Sequence, residues 1–152
     1  MYLLNRKYDK YLLIVLIVFT IDQFSKYILS LNYDFLSNKN LFIISINYVR
    51  NYGAAFNIFE GKRILLSLIS ILSSIIIFYF IYFKEGLNSI NRYGLSFILA
   101  GSLGNGVDRI IKGFVIDFIN LKIFDFPVFN IADISINIGC IILIFNYFKY
   151  KK

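Results

Sequence analysis

The chain has 152 residues, of which 59% are hydrophobic and only one is proline. With a mean hydropathy of +0.70, it carries more apolar surface than a soluble globule of this size can hide, so a bilayer is its expected solvent. Its net charge of +7 suits basic flanks held at an anionic leaflet, and no basic face on a soluble domain is visible for a nucleic acid. There is no histidine, which excludes Ser-His-Asp and Cys-His catalysis and histidine-ligated zinc. Proton transfer is left to Asp, Glu, Lys, Tyr or water.

In chain order, Tyr11–Leu29 is the first expected span, apolar until Asp22 and Lys26 interrupt it. Its basic start (Arg6, Lys7, Lys10) resembles a signal peptide, but no small-x-small cleavage site follows it and three more spans do. Phe42–Arg50 is rich in β-branched and aromatic residues, as strands are. Ile64–Phe83 runs for twenty residues without a charge, roughly the 30 Å of a hydrocarbon core at 1.5 Å per residue. Tyr93–Ile111 is polar only near its end, at Asn105, Asp108 and Arg109. Leu121–Phe129 has strand composition again, with Pro127 suited to an edge or a strand end. Ile131–Tyr150 carries Asp133 at its start and Cys140 within an apolar run, where a buried small hydrophobe is expected.

The pattern predicts one all-α membrane domain over residues 1–152, with four transmembrane helices and a small sheet built from the loops between helices one and two and helices three and four. Four spans put both termini on one side. Lys and Arg count eight on each side. Their density at the termini and in the short Lys84–Arg92 loop favours these as cytoplasmic.

An ionisable residue inside a span costs about 2.5–3.5 kcal/mol at the helix centre, so it needs a partner, a water-filled cavity or a function. Asp9, Asp34 and Glu85 fall in terminal or loop sequence, and Glu60 lies beside Lys62 and Arg63 as a surface group. Four acids remain. Asp22 and Lys26 share a helical face at i,i+4 and can neutralise each other; a structural ion pair explains them as well as function does. Gly101, Asn105, Asp108 and Arg109 share one face at steps of three and four. Glycines alone suit close packing, but packing does not explain three polar residues on the same stripe. Asp133 at a helix start reads equally as a cap, and Asp117 as a buried structural carboxylate. Taken together they say more. They are sixteen residues apart, on either side of an apparent hairpin at 121–129 that can bring both to one membrane surface. Two carboxylates in contact share a proton. One then serves as base for a water and the other as acid for the carbonyl or leaving amine.

Five motifs carry a resemblance over nearly the whole chain: Asp22-Gln23-x-x-Lys26, Asn51-x-Gly53-Ala54-Ala55-Phe56, Gly104-Asn105-x-x-Asp108-Arg109, Val115-Ile116-Asp117-Phe118 and Phe129-Asn130-x-Ala132-Asp133. Each is weak alone; in this order, at these helix ends, the chain resembles the lipoprotein signal peptidases (signal peptidase II), aspartyl proteases of bacterial inner membranes. Ser102, where Ala is common, and Asn57, where a smaller residue is frequent, depart from that pattern without touching a motif carboxylate. The resemblance implies that Asp117 and Asp133 form the catalytic dyad. Asn51, Gly101, Asn105, Asp108, Arg109, Asn130 and Ala132 would bind substrate or support the site, and Asp22 and Lys26 would support it from below. It also implies an extracytoplasmic β-cradle, an active site near the outer face, a diacylglyceryl-modified prolipoprotein as substrate, a monomer among membrane lipids, and neither metal nor cofactor. The competing classes are a proton- or ion-coupled transporter, which expects midplane carboxylates in repeated halves, and a scaffold indifferent to Asp117 and Asp133.

Overall fold

The computed structural model describes residues 8–32, 39–41, 43–122 and 126–150. Arg6, Lys7, Asp34 and Phe42, invoked above, lie outside the described residues. The elements in order are α1 (Asp9–Leu31), β1 (Lys39–Leu41), β2 (Ile44–Asn51), a 3-10 turn (Ala55–Asn57), α2 (Arg63–Phe83), α3 (Ser89–Ile111), β3 (Val115–Leu121) and α4 (Ile131–Tyr150).

Among the described residues, three helices are long and apolar enough to cross a membrane: α1, α2 and Ile131–Lys149 of α4. α3 is 23 residues long, sufficient in length, yet apart from Leu99 its buried residues are small or polar: Arg92, Gly94, Ser96, Ala100, Gly101, Gly104, Asn105, Gly106 and Asp108. That composition follows from its place, since α3 packs against α1, α2 and α4. The bundle inverts the soluble pattern. Leu13, Phe24, Ile64 and Phe145 are all more than half exposed, while Asp22, Lys26, Asp108 and Asn130 are fully buried, as expected where lipid solvates the outside and polar groups turn inward.

The buried stripe of α1, Tyr11, Val15, Asp22, Lys26 and Leu29, keeps steps of four, seven, four and three, one face of a helix. Its first half joins an apolar core with Ile81, Leu99 and Ala100; its second half carries the charges. α3 and α4 approach to backbone contact. A Cβ on Gly101 would meet the Ala132 carbonyl and Ile136, and one on Gly139 would meet the Gly94 carbonyl and Ile98. Gly101, expected among the site residues, is therefore placed as the spacer that lets α4 seat on α3. Gly101→Val should cost about 1–3 kcal/mol or more from overpacking, read as a lower unfolding temperature in detergent.

The sheet has the order β1-β2-β3 and is antiparallel. It corrects one expectation. The second expected strand is Val115–Leu121, with Asp117 as its third residue, and not Leu121–Phe129. Within that later segment only Phe129 returns, in a single bridge to Ile119; residues 123–125 lie outside the described residues. The physical reason lies in the residues themselves, since Val115, Ile116 and Phe118 bury against the bundle whereas Pro127 has no N–H to give a ladder.

The register of β2 on β3 shifts between Ile46, opposite Ile119, and Val49, opposite Asp117. One extra residue in β2 reverses which side chains share a face. Continued from Ile46, the earlier register would set Tyr48 opposite Asp117 and turn Asn51 to the other face. With the shift, Asn51 pairs with Val115 and stands diagonal to Asp117 on the same face.

Cys140 is exposed on α4, which corrects the expectation of a buried hydrophobe: an apolar run in a spanning helix has a lipid side as well as a core side. Cys140→Ser should change stability in detergent by no more than about 0.5 kcal/mol, as surface changes away from special features do, read as an unchanged unfolding temperature.

Candidate active site

Asn130 stands immediately before α4 and organises its first turn. Its Oδ1 accepts the Asp133 backbone N–H at 3.0 Å, and its own N–H donates to Asp133 Oδ2 at 3.1 Å. This is a reciprocal capping box built from Asn and Asp. The cap reading of Asp133 is thus correct, and it accounts for only one of the two oxygens. Asp133 Oδ1 accepts from Asn105 Nδ2 of α3 at 2.8 Å.

The Phe129–Ile119 bridge sets Asn130 beside β3. There Asn130 Nδ2 donates to Asp117 Oδ1 at 2.6 Å, with Asn105 Oδ1 at 3.1 Å as a second acceptor. Asn51 Nδ2 donates to Asp117 Oδ2 at 2.8 Å. Every carboxylate oxygen of Asp117 and Asp133 therefore meets an N–H donor, and Asn130 bonds to both residues. Burial pushes the Asp117 carboxyl up from 3.8 to about 6; the Asn51 amide opposes this, the Asp133 charge adds to it, and the Asn130 amide and the Lys26 charge oppose it.

Below the pair lies a buried ion cluster. Lys26 Nζ is 2.8 Å from Asp22 Oδ2, 2.8 Å from Asp108 Oδ2 and 3.0 Å from Asn105 Oδ1. Asp108 Oδ1 takes Lys112, partly exposed, at 2.9 Å. Asp22 Oδ1 accepts the Ala132 N–H at 2.9 Å, an orphan donor of the first turn of α4. The cluster joins α1, α3 and α4, and it fixes the Asn105 amide. Lys26 and Asn130 both donate to its Oδ1, so its Nδ2 must face Asp133. Asp108 lies on the α1 side of α3 and does not touch Asp117 or Asp133. Arg109 extends the other way, with Nη2 donating to Gly53 O at 2.9 Å.

Of the residues expected at the site, Asn51, Asn105 and Asn130 bond directly to Asp117 or Asp133. Lys26 and Arg109 stand one contact away, and Asp22, Asp108, Gly101 and Ala132 act by holding helices together. Two residues stand in the sequence motifs without an assigned site role, Gln23 and Gly104. Gln23 Nε2 donates to Asp22 Oδ2 at 3.1 Å and to Gly104 O at 3.2 Å, and Gly104 is needed because a Cβ there would lie 2.6 Å from Asp22 Oδ2. Among the described residues no group of three or more Cys, Asp or Glu is arranged to hold a metal ion.

Fold and site together define a multi-pass membrane protein with a dense carboxylate–amide cluster gathered toward one end of its bundle. The signal peptidase (SPase) II family model matches residues 14–149. The lipoprotein signal peptidase of Wigglesworthia glossinidia brevipalpis is 43% identical over 139 residues, covering 88% of this chain and 91% of that protein. That of Microcystis aeruginosa is 38% identical over 143 residues, covering 92% of each. A solved bacterial membrane enzyme superposes with a TM-score of 0.88 at 34% identity, covering 95% of this chain and 90% of the other. The chain belongs to the signal peptidase II family.

Proposed function

We propose that the protein is an aspartic endopeptidase that removes the signal peptide from diacylglyceryl-modified prolipoproteins, cutting just before the lipidated cysteine. In this reading Asp117 and Asp133 are the catalytic dyad. The observation that carries it is that one residue, Asn130, bonds to both acids while burial raises Asp117 to about 6. Bridged through Asn130, the two acids bear on each other's ionisation, and a pair that shares one proton follows in this reading. The ionised member takes a proton from water as it attacks the scissile carbonyl, and the protonated member donates to the carbonyl oxygen or the departing amine. Arg109 and the Asn amides favour the negative charge that develops on that oxygen.

Four helices crossing the membrane, with the sheet and the site at the extracytoplasmic end, suit such a substrate. Its acyl chains stay in the lipid and its scissile bond arrives at the interface, where water enters. The transport reading is not favoured, because Asp108 and Asp133 lie in the last and first turns of their helices rather than near a midplane.

The test is cleavage of a lipidated prolipoprotein by purified protein in detergent or lipid, followed against pH. Below about pH 6 Asp117 holds its proton, and as pH rises through that value the proton is lost. Activity should therefore fall as pH rises through that region. The Asn51 amide favours the ionised form, so Asn51→Leu should shift this limb to higher pH and lower kcat. A profile flat from pH 4 to 9 (a range of about 5 units) would argue against a proton-sharing pair.

A further inference from the structure

α2 begins against its own dipole. Lys62 and Arg63 are cations at a helix N-terminus, where a negative charge is favoured. Arg63 resolves this by reaching away. Its Nε donates to Arg109 O at 2.9 Å and its Nη2 to Ile110 O at 2.5 Å, carbonyls in the last turn of α3, where a cation is favoured. The guanidinium packs over Gly113, whose φ of +85° calls for glycine and whose Cβ, if present, would make ordinary contact with Arg63 Nη1 at 3.4 Å.

Arg109, gripped at its carbonyl by Arg63, is the residue whose side chain holds Gly53 O. Gly53 N in turn donates to Asn51 Oδ1 at 2.8 Å. That bond decides which way the Asn51 amide faces. With Oδ1 on Gly53, Nδ2 must point at Asp117; reversed, a carbonyl oxygen would confront a carboxylate and an N–H would confront an N–H. The segment from Tyr52 to Lys62 needs outside support to keep this arrangement. It is closed by Gly61 N donating to Tyr52 O at 3.1 Å and Ala54 N to Ile58 O at 2.8 Å, and it holds Phe56 and Phe59 at φ 56° and 58°, left-handed values that persist only when neighbours enforce them. Arg109 pins its start and Arg63, at its end, grips α3.

We propose that Arg63 is a positioning residue, acting through Arg109 and Gly53 to keep the Asn51 amide turned toward Asp117. Its effect on cleavage rests on Asp117 belonging to the catalytic pair; its effect on the Asp117 carboxyl does not. The charged groups that bear on that carboxyl are Asp133 from α4, Lys26 from α1 and Arg109 from α3, and none is altered by changing Arg63.

The experiment is a carbon-13 titration of the Asp117 carboxyl in detergent, assigned with Asp117→Asn and run on wild type, Asn51→Leu, Arg63→Met and Arg63→Lys, with the pH profile of kcat/KM alongside. Arg63→Lys keeps the charge and the fold but loses the planar fork that spans two carbonyls. Both Arg63 variants should move the midpoint upward, in the direction of Asn51→Leu and by up to about one pH unit. Arg63→Lys combined with Asn51→Leu should go no further than Asn51→Leu alone. A wild-type midpoint in Arg63→Lys would overturn the proposal, leaving Arg63 a helix clasp or a distant charge, and so would full additivity in the double variant. The titration needs no turnover, so wild-type protein that fails to cleave would refute the peptidase reading while this inference is still decided.

Discussion

Asp117→Asn and Asp133→Asn should each lower cleavage of a lipidated prolipoprotein by about a thousandfold or more, while the protein still inserts and unfolds cooperatively. The size follows from the role: each acid is needed to move a proton, a contribution of roughly 10²–10⁴ in rate, and loss of either also ends the sharing between them. The fold should survive because Asn keeps the shape. At position 133, an amide oxygen can still accept one of the two N–H groups, Asn130 N or Asn105 Nδ2, that meet the carboxylate now. The two variants differ in one respect. Asp133→Asn weakens the capping box of α4, typically worth about 1 kcal/mol, so it should unfold at a lower temperature than Asp117→Asn. Near-wild-type cleavage by either variant would refute the dyad.

Lys26→Met should have the largest effect on folding. Lys26 is fully buried between Asp22 and Asp108, at 2.8 Å from each. Removing the cation leaves two buried carboxylates with only Lys112, at the edge, and the Arg109 charge to offset them. Breaking a buried pair in this way costs about 3–5 kcal/mol, a large part of the stability of a small domain. Loss of folded protein in the membrane fraction is the expected result. Lys26→Met with Asp22→Asn and Asp108→Asn removes all three charges and should recover much of the yield, since a neutral core of similar volume is tolerated better than an unpaired charge. Activity should recover only in part, because Asn105 Oδ1 keeps its Asn130 donor but has lost the Lys26 ammonium that also holds its amide toward Asp133. Full yield from Lys26→Met alone would show that the cluster does not hold the bundle together.

Much of this was legible in the sequence because a bilayer makes the rules strict. A charge in an apolar run must be explained, so Asp22, Lys26, Asp108 and Asp133 stood out, and the i,i+4 pairing of Asp22 with Lys26 follows from helix geometry alone. Helix limits were legible for the same reason: expected Ile64–Phe83 is found as Arg63–Phe83, and expected Tyr11–Leu29 as Asp9–Leu31. Tertiary placement was harder to read. VIDFINL and LKIFDFPVF are both plausible strands by composition, and which one pairs depends on what β2 offers and on where Val115 and Ile116 can bury. The register shift that turns Asn51 toward Asp117 leaves no mark in residue type. Arg63 has no assigned role in the sequence because its partners are backbone carbonyls of α3, which sequence cannot display; the one available sign is its unfavourable place at a helix start. Cys140 was misplaced because apolar surroundings in sequence do not distinguish core from lipid.

The central claim is most directly tested by incubating a diacylglyceryl-modified prolipoprotein with the purified protein and identifying the products by mass spectrometry, with Asp117→Asn in parallel. The account predicts one cut by wild type, immediately before the lipidated cysteine, and none by the variant. Well-folded wild type that releases no peptide, or a variant that makes the same cut at the same rate, would contradict it.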